Sequence, residues 1–309
     1  MKPAADGTSN QACTIPGLIT VIIPTYNRSE LLARSVSSVL AQTYVSLELI
    51  VVDDGSTENI PEALQAIAPG RTTVIRRECR GGAAAARNTG CGAARGEFIA
   101  FLDSDDEWLP EKLEAQISFL RDRPEIALFC TAFVLVRRDG QEEIRTFDTN
   151  EMGTADLAFG CEVSPGSSLL FRKEFFSVVG PFDTAIPRFE DWDWLVRGSA
   201  LSTIGLINRP LCKVYAGPRP TEEMVLASTS RMREIHGSTF RRKGVRHYLR
   251  FRAGLLHEES IAAFSAGKYG LAIGKLVLSL MVFPLRKRNF IARSIRALSS
   301  CRSVSSEGR

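Results

Sequence analysis

The run GEFIAFLDSDDEWLP, residues 96–110, places three carboxylates, Asp103, Asp105 and Asp106, in four positions directly after an apolar segment. A short apolar run bounded by polar residues reads as a buried strand, so the acids fall at its carboxyl end. One reading makes Ser104, Asp105 and Asp106 a turn and a cap for a helix entered at Pro110. That accounts for one or two acids, not three. In locally extended chain Asp103 and Asp105 point to the same side, because side chains alternate with period two, and their mutual repulsion then calls for a cation. Oxygen ligands without nearby Cys or His select a hard divalent ion, Mg or Mn, over Zn, and His236, His247 and His257 all lie far downstream. From this stretch alone, the turn and the metal site both stand.

Working outward, the chain alternates. LITVII (18–23) has the composition of a buried strand, and NRSELLARSVSSVLAQ (27–42) follows as a helix with a capping box of Asn27 and Glu30 and an apolar stripe at Leu31, Val36, Val39 and Leu40. LELIVVDD (47–54) is a second strand, ENIPEALQAIA (58–68) a helix, TTVIRR (72–77) a third strand, AAAARNTGCGAA (83–94) a helix of small residues and EFIAFLD (97–103) a fourth strand. Repeated β-α units predict an α/β domain, a mostly parallel sheet with helices on both faces, whose ligands gather beyond the carboxyl ends of the strands. PTYNR (24–28), DDGST (53–57) and DSDD (103–106) occupy those ends. The chain has no GxxxxGK[ST], and TGCGAARG (89–96) lacks GxGxxG spacing after a strand, which excludes a P-loop enzyme and a dinucleotide-binding dehydrogenase.

Composition fits a folded globular protein: 309 residues suffice for one large domain with an appendage, and 44% hydrophobic residues suffice for a core. MKPAADGTSNQACTIPG, at the start, lacks the apolar centre of a secretory signal and reads as a disordered lead over 1–16. The seven cysteines are odd in number, dispersed and without a CxxC pair, which suggests neither a disulfide framework nor a zinc site and fits a reducing cytosol. The net charge of +4 is concentrated after residue 230, in RMREIHGSTFRRKGVRHYLRFR (231–252) and RKRNFIARSIRALSSCR (286–302). No nucleic-acid recognition module accompanies it, so a solvated basic face or an anionic membrane surface is expected rather than DNA or RNA.

Five ordered blocks, TVIIPTYNR (20–28), LELIVVDDGST (47–57), ARNTG (86–90), GEFIAFLDSDDEW (96–108) and FEDWDWLVR (189–197), resemble those of the family 2 glycosyltransferases. Five blocks in order are far more specific than any one of them. The resemblance covers about residues 17–217 and implies the GT-A (nucleotide-diphospho-sugar transferase) fold for a catalytic domain over 17–218; it does not reach the rest, which its own charge and apolar pattern mark as a basic helical extension over 219–309. It implies inverting transfer of a sugar from a nucleotide-diphosphate sugar to a glycan or lipid-linked acceptor. Pro24, Thr25, Tyr26, Arg28 and Asp54 then hold base and ribose, where an aromatic ring and an accepting carboxylate suit a uracil edge. Arg87, Asn88 and Ser104 fall on the donor side, Asp103 and Asp105 match the DxD metal pair, and Asp105 is the first choice as direct ligand to Mg or Mn. Asp106 is left as a supporting group or a cap, and Trp108 as a core residue. The ED motif makes Asp191 the base that takes the acceptor proton, with Glu190 supporting it, and Gly166 and Ser167 fall near the sugar. Without the other blocks, the acids at 190–193 read first as a helix N-terminus complementing its dipole.

Two departures from the pattern bear on function. No QxxRW follows the ED block, so single-residue transfer is expected rather than processive synthesis. VYAGPRPT (214–221) has no His where the family often has one, leaving Arg219 as an electrostatic substitute. Beyond the motifs, SIAAFSAGKYGLAIGKLVLSL (260–280) and FIARSIRAL (290–298) are expected helices, either lying on the inner face of a cytoplasmic membrane or packing on the core. The apolar run 271–285 is shorter than the roughly 20 residues a spanning helix needs. Nucleotidyl transfer would need a glycine-rich basic loop where PTYNRSE (24–30) stands, and a non-catalytic binding protein would not need the set of acids.

Overall fold

A computed structural model describes residues 14–283. Of the expected lead only residues 14–16 fall within this range, and the helix expected at 290–298 lies outside it. The first half alternates as the sequence predicts: β1 (Ile15–Thr25), α1 (Ser29–Leu40), β2 (Leu47–Asp53), α2 (Ile60–Ile67), β3 (Thr73–Arg76), α3 (Gly82–Ala93) and β4 (Gly96–Phe101). Then come β5 (Glu107–Trp108), α4 (Lys112–Asp122), β6 (Leu128–Val136), β7 (Glu142–Arg145), β8 (Glu151–Met152), α5 (Pro165–Ser168), β9 (Leu169–Arg172), α6 (Lys173–Val179), α7 (Glu190–Gly198) and β10 (Ile204–Tyr215). The described chain ends in α8 (Glu222–Arg242), α9 (Val245–Ser265) and α10 (Tyr269–Val282).

The strands form one mixed sheet in the order β3-β2-β1-β4-β9-β6-β10-β5, with β7 on β6 and β8 on β10. The long strands pair in parallel, β1 with β2 and β4, and β6 with β10, while short β9 runs antiparallel between β4 and β6. Both faces of the sheet are covered, and β1 shows why its sequence is continuously apolar. Its Val21 and Ile23 join Leu32, Val36 and Val39 of α1 in one core, and Ile22 joins Ala84 and Ala86 of α3 in the other. Small residues in α3 let it approach β1 closely: a Cβ at Gly90 would stand 2.5 Å from Ile22 Cγ2.

Three local expectations are corrected. Asn27 and Glu30 form no capping box. Arg28 is the N-cap of α1 and makes no side-chain cap bond, while Asn27, at φ 49°, turns its Oδ1 to accept from Thr57 N at 2.8 Å and Thr57 Oγ1 at 3.1 Å. Its amide joins two loops instead, and the Ser29 N–H at the start of the helix donates to Glu58 Oε2 at 2.8 Å, a cap supplied from the DDGST side. The apolar stripe runs through Leu32, not Leu31, which is exposed. Finally, Ser104–Asp106 make the expected turn, Asp106 N donating to Asp103 O at 3.0 Å, but they do not cap α4, whose N-cap is Glu111.

The tail helices α8 and α9 are part of the core. Met232, Phe240, Phe251 and Leu255 lie in the same buried cluster as Trp192 and Trp194 of α7. Several residues of the first basic patch are engaged in ion pairs, Arg231 with Asp183 at 3.2 Å and Arg233 with Glu259 at 3.2 Å. Among the described residues no helix is long and apolar enough to cross a membrane.

Candidate active site

The sheet register sets the site. Thr25 pairs with Asp53 and Ile22 with Phe101, so the loops after β1, β2 and β4 emerge together at one carboxyl edge. The DSDD turn is held there by its own backbone. Asp103 N donates to Ser167 Oγ at 3.1 Å, Ser35 Oγ of α1 donates to Asp106 O at 2.8 Å, and Arg34 donates to Asp105 O. Asp106 points inward, buried, accepting from Ser167 Oγ and from Tyr215 N at 2.9 Å, and burial, followed by the charge of Asp103, pushes its carboxyl well above the usual range. Asp103 and Asp105 remain at the lip. Arg28 donates to Asp105 Oδ2 at 2.7 Å, yet burial and then Asp103 still raise the Asp105 pKa. Ser104 is buried between them.

Arg87 links the acid motifs. Its guanidinium, on α3 and only 4% exposed, donates through Nη2 to Asp103 Oδ1 and through Nη1 to Glu190 Oε1, both at 2.7 Å. Burial pulls its pKa down, but the charges of Asp103 and Glu190 outweigh that and raise it. Asp191 is half-buried and lines a small cleft with Arg87, Gly166 and Phe182. Burial first, and Glu190 second, push its carboxyl up to about 6 against the pull of Arg87. Asp193 does not share this site. It turns into the core, where His236 Nε2 of α8 lies 2.8 Å from its Oδ1 and Arg197 donates to its Oδ2 at 2.7 Å, and these bonds lower its pKa despite burial.

The loops on the other side are more tightly committed than their sequence suggests. Asp54 accepts from Gly82 N at 2.7 Å, from Gly81 N and from Arg77, bracing the loop that leads into α3. Tyr26 carries Arg80 over its ring at 4.1 Å. Pro24 and Thr25 are buried, and Thr25 Oγ1 has no partner. Asn88 exchanges two bonds of 2.9 Å with the backbone of Phe182, its Nδ2 donating to the carbonyl and its Oδ1 accepting from the amide. Trp108 is a core residue, its Nε1 donating to Ser167 O at 2.7 Å while the buried Lys112 Nζ lies 3.9 Å above its ring. In VYAGPRPT it is Gly217 that stands beside the acids, a Cβ there falling 3.6 Å from Asp105 Oδ2, whereas Arg219 donates to Ser265 of α9 at 2.8 Å.

Arg34, Ser35 and His236 carry no signal in the sequence, since a helical Ser or Arg looks the same whether it faces water or a loop 70 residues away. Backbone strain marks the same places. The non-glycine residues with left-handed φ among the described chain are Asn27, Ser164 and Phe189, the first within PTYNR, the second two residues before Gly166 and the third just before Glu190. Gly166 is required by contact rather than by φ: a Cβ would lie 2.3 Å from Asp103 Oδ2. Gly166→Ala is therefore expected to destabilise by about 1–3 kcal/mol, as overpacking does, read as a lower denaturation midpoint. An unchanged midpoint would mean that Asp103 swings away without penalty.

Comparison with known proteins places this geometry. The family model described as Glycosyl transferase family 2 matches residues 20–180. The UDP-Glc:alpha-D-GlcNAc-diphosphoundecaprenol beta-1,3-glucosyltransferase WfgD of Escherichia coli is 46% identical over 103 residues, 33% of this chain and 41% of that protein. The putative teichuronic acid biosynthesis glycosyltransferase TuaG of Bacillus subtilis is 40% identical over 125 residues, 40% of this chain and 49% of that one. The chain thus spans about half the length of the curated relatives it matches. Among solved structures, S. aureus TarS 1-349 in complex with UDP aligns with TM-score 0.57 at 17% identity, covering 84% of this chain and 88% of that chain. The mannosyltransferase PcManGT from Pyrobaculum calidifontis, in complex with GDP-Man and Mn2+, aligns with TM-score 0.56 at 21% identity over 93% of this chain and 83% of its own. The parallel strands, the acidic lip and the ordered blocks are those of a GT-A fold, and the chain belongs to glycosyl transferase family 2.

Proposed function

We propose that the chain is an inverting, metal-dependent glycosyltransferase that moves one sugar from a nucleotide-diphosphate sugar, foremost a UDP-sugar, to a hydroxyl of a glycan or lipid-linked acceptor in surface polysaccharide or glycolipid assembly. The observation that carries this reading is the Arg87 bridge, which joins Asp103 of the DxD turn to Glu190, the neighbour of Asp191. It gathers at one edge the groups that leaving-group stabilisation and proton removal require. The names of the relatives, with a diphosphoundecaprenol acceptor and teichuronic acid, and the UDP and GDP-Man of the solved structures support the substrate classes.

The residues fit a hard cation of restricted kind. Asp103 and Asp105 offer oxygen only, and no group of three or more His, Cys, Asp or Glu able to hold a metal occurs among the described residues. Such a pair suits Mg or Mn when a diphosphate and water complete the coordination. When bound, the ion neutralises charge on the departing nucleotide diphosphate. The protein's own work is then positioning and proton removal. The α1 hydroxyl and guanidinium fix the DSDD backbone, Arg28 and Arg87 keep positive charge beside the phosphates, and Thr25, Tyr26, Asp54, Asn88 and Ser104 shape the donor side. Asp191, with a pKa of about 6, is ionised at neutral pH and close enough to it to act as an efficient base toward the acceptor hydroxyl, with Glu190 supporting it. The division into a catalytic domain over 17–218 and a basic extension over 219–309, and a cytoplasmic site of action at the inner face of the membrane, belong to the same proposal.

Binding and hydrolysis across a panel of nucleotide sugars, with Mn or Mg and with EDTA, test it. One donor is expected to bind in the presence of metal only, Asp105→Ala to lose that binding, and Asp191→Ala to bind without turning over. If no nucleotide sugar binds under any condition, the acids at 103–106 are a turn and the proposal fails.

A further inference from the structure

Helix α10 is built inside out. Between Leu271 and Val282 its only polar residues are Lys275 and Ser279, and both face the protein. Ser279 is fully buried and donates to Ala253 O of α9 at 2.8 Å, and Lys275 donates to the buried Glu259. The solvent side carries Leu271, Ile273, Val277, Leu278 and Met281, the last two thirds or more exposed at 76%. At about 100° per residue these positions and Gly274 form one continuous face roughly 160° wide. A helix on the surface of a soluble domain ordinarily shows water the opposite face.

We infer that this face is a docking surface for an anionic lipid bilayer, which it enters parallel to the membrane plane. Length favours lying over spanning: 14 residues make about 21 Å of helix, short of the roughly 30 Å hydrocarbon core. Charge favours an anionic partner. After α10 and the short Phe283-Pro284-Leu285 the sequence continues with Arg286, Lys287 and Arg288, and residues 284–309 hold seven Lys and Arg against the single acid Glu307. Apolar residues seated among acyl chains with cations close by in sequence are what an interfacial anchor requires. The inference deepens the lipid-linked acceptor reading above, since it would hold the catalytic edge near a membrane-borne substrate.

Flotation of the full chain with vesicles tests it, without donor or turnover, so that its failure and that of the transferase reading are separate. The chain is expected to float with phosphatidylcholine vesicles containing about one third phosphatidylglycerol and to be released by salt. Ile273→Gln combined with Met281→Gln is expected to weaken vesicle binding by about tenfold or more, with denaturation midpoint and nucleotide binding unchanged. Equal binding by the pair variant, or equal binding to phosphatidylcholine alone, overturns the inference. A dimer in sedimentation equilibrium that the pair variant abolishes, without vesicle binding, assigns the face to a second copy. A monomer that binds no vesicles assigns it to residues 284–309, and either result also overturns the inference.

Discussion

Asp191→Asn is expected to lower the transfer rate by about a thousandfold, within the range that loss of a positioned base produces, while nucleotide binding stays as it was and the fold becomes more stable. The last part follows from the sign of the shift. The Asp191 carboxyl is held at about 6, above its ordinary 3.8, because burial and Glu190 together outweigh Arg87. The fold therefore prefers the protonated form. That preference contributes stability that is complete below about pH 4 and lost as pH rises through 6. At neutral pH the ionised side chain is a burden, and asparagine, which cannot ionise, removes it. The gain is on the order of 1–3 kcal/mol, given about 1.4 kcal/mol per pKa unit. In the parent enzyme the rate should fall as pH drops below 6, because the base becomes protonated. Single-turnover rates across pH, with thermal denaturation of both proteins at pH 7, check all three parts. A variant that is slower but less stable would mean that the carboxylate is a structural ligand of the fold, and a variant of unchanged rate would move proton removal elsewhere.

Arg87→Ala is expected to destabilise by about 3–5 kcal/mol, the usual result of removing one partner from a buried ion pair. Here two carboxylates lose their cation. Glu190 is 13% exposed and suffers fully, whereas Asp103 is 38% exposed and recovers part of its loss from water, which argues for the lower end of that range. Against a typical total of 5–15 kcal/mol this is a large fraction. Arg87→Lys restores the charge but not the forked geometry, and one ammonium on a flexible stem cannot make both 2.7 Å contacts as Nη1 and Nη2 do. It should recover less than half of the stability. Urea titration of the three proteins decides the matter; a midpoint for Arg87→Ala close to the parent's would show the bridge to be ornamental, and the gathering of the two acid motifs would need another cause.

The β-α order, the acidic lip and the five blocks were legible because each depends on local composition and short spacing, as LITVII and DSDD illustrate. What depends on the third dimension was not. Asn27 looks like a helix cap until its amide is seen reaching Thr57, and Leu31 and Leu32 trade places with one residue of helix phase. Taken as spacing on a helix, Glu190 and Asp193 share a side and Asp191 stands apart. In the fold, Arg87 holds Glu190 and lines one cleft with Asp191, while His236 holds Asp193 in the core. Side-chain partners from distant segments decide that grouping, and periodicity contains no information about them. The same holds for α10, whose two polar residues read as interruptions of an apolar run and prove to be its anchoring points.

The contact between Asp193 and His236 also fixes where this protein can be taken apart. The family match ends at residue 180, ahead of α7, and the last strand of the sheet ends at Tyr215. A chimaera joined after β10 would bring in a foreign tail without this imidazole for Asp193, and α7, which carries Glu190 and Asp191, would lose a peg that holds it to α8. Joined between Gly180 and Glu190, the same exchange would carry helix and peg together. An exchange that keeps Asp193 with His236 thus begins ahead of α7 and also takes β10 from its place between β6 and β5, and the tail is half of the mounting on which the second acid motif sits.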